Sequence, residues 1–165
     1  MQTRRSFLTY AATATALGVL GGAGRARAAG FEITLSDAEW KARLTPAQFE
    51  ILRDEGTEKP FTNSLFGESS PLLKEAREGT YHCAACDLAV YASSTKFDSG
   101  TGWPSFWDAI PGAIGTKKDN TLFTTRTETH CRRCGGHFGH IFNDGPQPTG
   151  KRHCLNGLAL TFSPA

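Results

Sequence analysis

The alternation of apolar and polar residues predicts two short helices followed by a series of short strands. Leu35 and Trp40 bracket Ser36-Asp37-Ala38-Glu39, where serine and glutamate have capping-box spacing and the flanking apolar residues are placed as a hydrophobic staple. Thr45-Pro46-Ala47-Gln48 repeats the device between Leu44 and Phe49, with proline at the first helical position. Gly56 is the expected stop of this second helix. Residues 57–78 carry Pro60, Gly67 and Pro71 as breakers and predict an ordered loop with one helical turn near 72–77. From Gly79 onward, apolar and aromatic runs alternate with turn residues. Strands are expected at 80–83, 88–91, 105–107, 121–125, 129–131, 137–142 and 158–162. The class is therefore mainly β: antiparallel sheets or a small barrel-like domain with short N-terminal helices.

The first 28 residues follow a different pattern. Thr3-Arg4-Arg5-Ser6-Phe7-Leu8 places a twin arginine before an Ala/Gly-rich run from Tyr10 to Gly24, which is too short and too mild to span a membrane. Ala26-Arg27-Ala28 sets small residues two apart, as a cleavage site requires. Residues 1–28 read as a twin-arginine signal peptide and 29–165 as the mature domain, exported already folded to the periplasm. A disordered or tagged tail is the alternative.

Removing that segment changes the charge argument. The whole chain has 18 basic and 16 acidic residues and a formal net charge of +2. Arg4, Arg5, Arg25 and Arg27 lie in the segment with no acid beside them, so 14 basic residues face 16 acidic ones in the remainder. Nucleic acid is thus not an expected partner.

Five cysteines bring in the chemistry. Cys83/Cys86 and Cys131/Cys134 are two C-x-x-C pairs, each after a short predicted strand. Two such turns can complete a four-thiolate tetrahedron, so a structural zinc ion is expected; disulfides or redox-active pairs are the alternative. Four sulfurs leave no open coordination position, which puts any reaction elsewhere. Cys154 is then the thiol available as nucleophile, with Arg152 two residues before it to favour the thiolate. If 152–156 is a strand, Arg152, Cys154 and Asn156 share one face and His153 points away. His137 and His140 lie in a Gly-rich stretch directly after the second pair and are candidates for acid–base work. His82 flanks a presumed ligand and reads as a bystander. The aromatic stretch from Phe97 to Trp107 reads equally as core plug or pocket wall.

Three motifs in order carry a family resemblance: Phe97-Asp98-Ser99-Gly100-Thr101-Gly102-Trp103-Pro104-Ser105-Phe106, Gly136-His137-Phe138-Gly139-His140-Ile141-Phe142-Asn143-Asp144-Gly145-Pro146, and Arg152-His153-Cys154-Leu155-Asn156. Interleaved with both cysteine pairs, they resemble the B class of methionine-R-sulfoxide reductases from about residue 35 to 162. The resemblance implies a β-rich, tent-shaped fold with its zinc site distant from the catalytic thiol. It implies Cys154 as nucleophile, Trp103 against the substrate methyl group, and His137, His140 and Asn156 around the sulfoxide, with Arg152 and Asp144 at supporting positions. The implied partners are an oxidised protein or peptide and an external thiol or thioredoxin-like reductant. Many relatives have a resolving cysteine where this chain has Thr101. Direct reduction of a Cys154 sulfenic acid by the external thiol is therefore expected.

Two other readings compete. A non-catalytic zinc-ribbon-like module accounts for the four paired cysteines and leaves Cys154, both histidines and Trp103 without a role. A periplasmic thiol oxidoreductase needs the C-x-x-C pairs to be reactive and metal-free.

Overall fold

The computed structural model describes residues 30–121 and 124–165. The twin-arginine segment expected at 1–28 lies outside the described residues.

Both capping boxes form. Helix α1 (Asp37–Arg43) starts at Ser36, whose hydroxyl accepts from the Glu39 amide while Glu39 answers to the Ser36 amide. Helix α2 (Pro46–Asp54) repeats the arrangement with Thr45 and Gln48. Each box satisfies amides that the first helical turn leaves open, worth about 1 kcal/mol per cap. Trp40, Leu44 and Phe49 are buried in the common core. At the end of α2 the left-handed residue is Glu55 (φ 60°), not the expected glycine. Gly56 follows it and donates to the Glu50 carbonyl at 2.9 Å. A Cβ on Gly56 would lie 2.8 Å from the Glu50 side chain, so the glycine is needed for room. No helix forms at 72–77; a turn closes there, with the Lys74 amide donating to the Pro71 carbonyl.

Eleven strands are found among the described residues: β1 (Ser64–Leu65), β2 (Glu68–Ser69), β3 (Gly79–Cys83), β4 (Ala89–Ala92), β5 (Lys96–Phe97), β6 (Ser105–Phe106), β7 (Ile114–Asp119), β8 (Arg126–Cys131), β9 (His137–Phe142), β10 (Arg152–Leu155) and β11 (Leu160–Pro164). All pairings are antiparallel. A hairpin joins β1 to β2, a three-stranded sheet runs β11-β3-β4, and a six-stranded sheet runs β5-β6-β10-β9-β8-β7.

The strand expected at 121–125 falls partly outside the described residues, and Thr124 and Thr125 are not in a strand. One edge of the large sheet is instead β7, which the sequence reading passed over. Its Gly115, Lys117 and Lys118 weaken the apolar signal, and lysines on an edge strand discourage pairing with another chain. Tyr81, Tyr91 and Phe106 pack ring against ring between the sheets, with centroids 4.6–4.9 Å apart. This core supports the inner side of β10, the strand that carries Cys154. Among the described residues, no helix is long and apolar enough to cross a membrane.

Candidate active site and metal centre

Strand β10 lies between β6 and β9, and its register decides which side chains meet. Cys154 is opposite Ser105 on one side and His140 on the other. His140 is in turn opposite Glu128. Directly opposed residues on antiparallel strands project to the same face with Cβ atoms about 5 Å apart, so Ser105, Cys154, His140 and Glu128 form one row. His153 faces the other way, is buried, and meets the Tyr91 hydroxyl at 3.1 Å through Nδ1. The alternation expected of 152–156 holds for Cys154 and His153, while the strand ends at Leu155 and Asn156 lies just beyond it.

The row opens into a pocket of about 120 Å³ lined by Thr57, Trp103, Arg126, Gly139, His140, Phe142, Cys154, Leu155 and Asn156. Cys154, His140, Trp103 and Asn156 thus share one cavity. The Trp103 indole N–H donates to the Glu58 carbonyl at 3.1 Å, which fixes the ring as a wall. Asn156 is buried; its side-chain carbonyl accepts from the Glu58 amide and its NH2 donates to the Phe138 carbonyl, both at 3.0 Å.

The remaining candidates stand behind the pocket. Arg152 grips Asp144 with two bonds of 2.9 Å and stacks on Phe142, 4.4 Å from the ring centroid. Neither Arg152 nor Asp144 lines the cavity. His137 is buried behind His140, with ring centroids 5.5 Å apart. His137 Nδ1 donates to Glu128 Oε1 at 2.8 Å, and its Nε2 has no protein partner among the described residues. The His82 ring meets the nearby Asp87 carbonyl at 3.2 Å and its carboxylate at 3.3 Å.

Four residues that the sequence reading did not single out complete the site. Asp119 accepts from His140 Nε2 at 2.7 Å and from Arg126 Nη2 at 2.6 Å. Its carboxyl is held well below the usual range, chiefly by the Thr121 hydroxyl and amide, then by His140 and Arg126. Glu128 accepts from both His137 and His130. Burial works to raise its pKa, but the two histidine bonds bring it down to about 2. Glu58 is buried and accepts from Asn63 Nδ2 (2.6 Å), the Gly157 amide (2.6 Å) and the Leu158 amide (2.9 Å), with burial raising its pKa. It staples the 57–63 loop, and with it Trp103, to the segment after β10. The signal for Arg126 and Glu128 was their period-2 placement on a strand. For Glu58 and Asp119 nothing local distinguishes them.

Burial pushes the Cys154 thiol up, and the Thr101 hydroxyl, Arg152 and Ser105 act against that. Thr101 Oγ1 is 3.8 Å from Cys154 Sγ, and Ser99 bridges Thr101 to Ser105 with two contacts of 2.8 Å. The expected help from Arg152 is therefore real but outweighed. Asp144 already holds the guanidinium. Burial also lowers the His140 pKa, against the pull of Asp119. Gly139 is opposite Leu155, and its backbone passes so near that a Cβ would lie 2.1 Å from the Cys154 carbonyl oxygen.

Elsewhere, Cys83, Cys86, Cys131 and Cys134 bring their four sulfurs within 4.8 Å of one another. Cys83 and Cys134 are 3.7 Å apart and Cys86 and Cys131 are 3.5 Å apart, far beyond a disulfide bond. A tetrahedral ion with metal–sulfur bonds of about 2.3 Å needs sulfurs about 3.8 Å apart, so the set fits a thiolate-bound metal. The first pair follows β3 in the small sheet, and the second forms the turn from β8 to β9 in the large one. Phe31 covers the second turn, where a Cβ on Gly135 would meet its ring at 2.4 Å.

Comparison with known proteins agrees with this geometry. Residues 44–164 match the SelR domain model. The chain is 47% identical over 134 residues to the peptide methionine sulfoxide reductase MsrB of Agrobacterium fabrum, covering 81% of this chain and 94% of the relative. It is 47% identical to the MsrB of Leptospira interrogans, covering 80% and 96% of the two chains. Against the MsrB of Methanosarcina barkeri the identity is 48%, covering 77% and 85%. With the family model spanning most of its length and these relatives matched nearly end to end, the chain belongs to the SelR domain family of methionine sulfoxide reductases.

Proposed function

We propose that Cys154 carries out the reaction of this family, the reduction of methionine-R-sulfoxide in a peptide or protein to methionine. The register that sets Cys154 opposite His140 in a pocket walled by Trp103 is the observation that carries this reading. A sulfoxide sulfur is a weak electrophile unless its oxygen is protonated. The site offers a sulfur nucleophile, a proton carrier on the adjacent strand, and an aromatic wall for the S-methyl group. His140 holds Asp119 through Nε2, so its Nδ1 is the nitrogen left to serve substrate. As Cys154 attacks, His140 Nδ1 takes the thiol's proton; the Asp119 carboxylate steadies the cationic ring that forms, and the ring passes that proton to the sulfoxide oxygen. The oxygen leaves the substrate sulfur for the Cys154 sulfur. The methionine sulfur gains two electrons and Cys154 becomes the sulfenic acid. Two external thiols, free or on a thioredoxin-like partner, then return Cys154 to the thiol, releasing water and a disulfide. Asn156, His137, Arg152 and Asp144 act by holding the site's shape.

The paired cysteines are read as holding structural zinc, which ties the two sheets together and takes no part in the reaction. The zinc-module alternative is not favoured, since it gives the pocket no role.

One incubation tests this reading. The R and S epimers of a methionine-sulfoxide peptide are supplied separately to the purified chain, with dithiothreitol. Turnover of the R epimer only is expected. A single turnover without reductant should leave one added oxygen on Cys154 and no internal disulfide, since Thr101 offers no sulfur. Turnover of neither epimer by folded, metal-loaded protein overturns the reaction, and a Cys154 disulfide within the chain overturns the recycling route.

Residues 1–28 are read as the export signal described above, which would place the mature domain in the periplasm. Fused to a reporter that is active only when exported folded, 1–28 should deliver it, and Arg4→Lys with Arg5→Lys should stop delivery. Unchanged delivery by that variant sinks the twin-arginine assignment.

A further inference from the structure

Among the described residues, Phe61 and Phe66 are the large hydrophobic side chains left exposed, at 66% and 65%. Both also have left-handed backbone, with φ of 65° and 50°. That region is unfavourable for an ordinary residue and is seldom occupied by a bulky one. Phe66 and Gly67 form the two-residue turn between β1 and β2 with both φ values positive, a geometry that prefers asparagine or aspartate before glycine. Folding alone therefore favours a different residue at 66, and the phenylalanine is held in solvent against both backbone preference and burial.

Phe61 adjoins the site, and Phe66 sits at the turn of the hairpin that continues the same loop. The Phe61 amide donates to the Gly102 carbonyl at 2.7 Å, and its ring lies against the Gly102 backbone, where a Cβ would meet it at 2.9 Å. The next residue is Trp103, the pocket wall. Asn63, in the same loop, is buried between Glu58 and the Gly102 carbonyl. The loop and hairpin are thus fixed to the pocket's rim. The pocket, at about 120 Å³, admits a side chain and not the backbone that bears it. Residues flanking a bound methionine sulfoxide must then lie outside, on the rim.

We propose that Phe61 and Phe66 form an apolar platform for the residues next to the methionine sulfoxide, so that the preferred substrate is an extended or unfolded polypeptide with apolar side chains flanking the oxidised methionine. The inference rests on the reductase reading and adds to it the sequence context that is bound. An oxidised segment from a protein's interior, exposed on unfolding, has this chemistry.

The test compares three R-sulfoxide probes: N-acetyl-methionine sulfoxide, a hexapeptide with leucine and phenylalanine beside the sulfoxide, and the same peptide with serines there. The unaltered chain should prefer the apolar peptide over the serine peptide by about tenfold in kcat/KM, as expected for partial burial of one or two apolar side chains. Phe66→Asn, which suits the turn better than phenylalanine, and Phe61→Asn should each remove most of that preference through KM. Turnover of N-acetyl-methionine sulfoxide should stay unchanged and the melting temperature should not fall. Equal use of both peptides by the unaltered chain, or an undiminished preference in both variants, overturns the platform. Failure of all three probes with the unaltered chain would instead overturn the reductase reading on which it rests.

Discussion

Cys154→Ser lowers sulfoxide turnover by on the order of 10⁴-fold or more, the scale seen when a catalytic nucleophile is removed. The substitution is close to isosteric, and the hydroxyl of Thr101 remains as a partner 3.8 Å from the replaced sulfur position. Packing and metal content should therefore persist. What is lost is specific: a serine oxygen is not nucleophilic enough to attack sulfur, and it cannot accept the sulfoxide oxygen as a stable sulfenic acid. Circular dichroism and metal analysis of the variant separate this result from misfolding. A folded, metal-loaded Cys154→Ser protein that keeps more than a few per cent of activity would remove Cys154 from the reaction.

The second large effect is on stability. Structural zinc held by thiolates contributes roughly 10–16 kcal/mol in small metal-folded peptides, comparable to or greater than the ~5–15 kcal/mol net stability of an ordinary domain. Here the ion would join the β3 end of one sheet to the β8–β9 turn of the other, across contacts distant in sequence. Cys134 is fully buried, and its carbonyl also accepts from Arg53 on α2 at 3.0 Å. Cys134→Ser should bind no stoichiometric zinc and lose tens of degrees of melting temperature, by the scaling of a few degrees per kcal/mol for domains of this size. Activity falls with it, because His137 begins β9 three residues after the lost ligand. A Cys134→Ser protein melting within a few degrees of the unaltered chain would show that the cysteine cluster is not a structural metal site.

Much of this molecule is legible where a local rule acts alone. Ser36/Glu39 and Thr45/Gln48 close their capping boxes because both partners lie within one turn. The C-x-x-C pairs and the Arg152–Asn156 alternation are legible for the same reason. Reading fails where tertiary context decides. The threonine-rich stretch at 121–125 has better strand propensity than Ile114–Asp119, yet the latter pairs along its length with β8. Propensity describes a residue's fit to a surface, and the surface is supplied by a distant strand. Glu58, Asp119 and Glu128 are ordinary acids in sequence. Their roles arise only when the fold brings them to Asn63, His140 and His137. The motif resemblance offered Cys154 and the two histidines as candidates, and left unnamed the carboxylates that hold the histidines.

Gly139 carries this further. It brings no proton, charge or ring to the reaction, yet its missing Cβ lets β9 approach the Cys154 carbonyl closely. The separation between thiol and imidazole is thereby set by an absence of atoms. Ranking positions by the reactivity of their side chains would place residue 139 last. Ranking them by how little drift the proposed reaction tolerates would put it beside the cysteine.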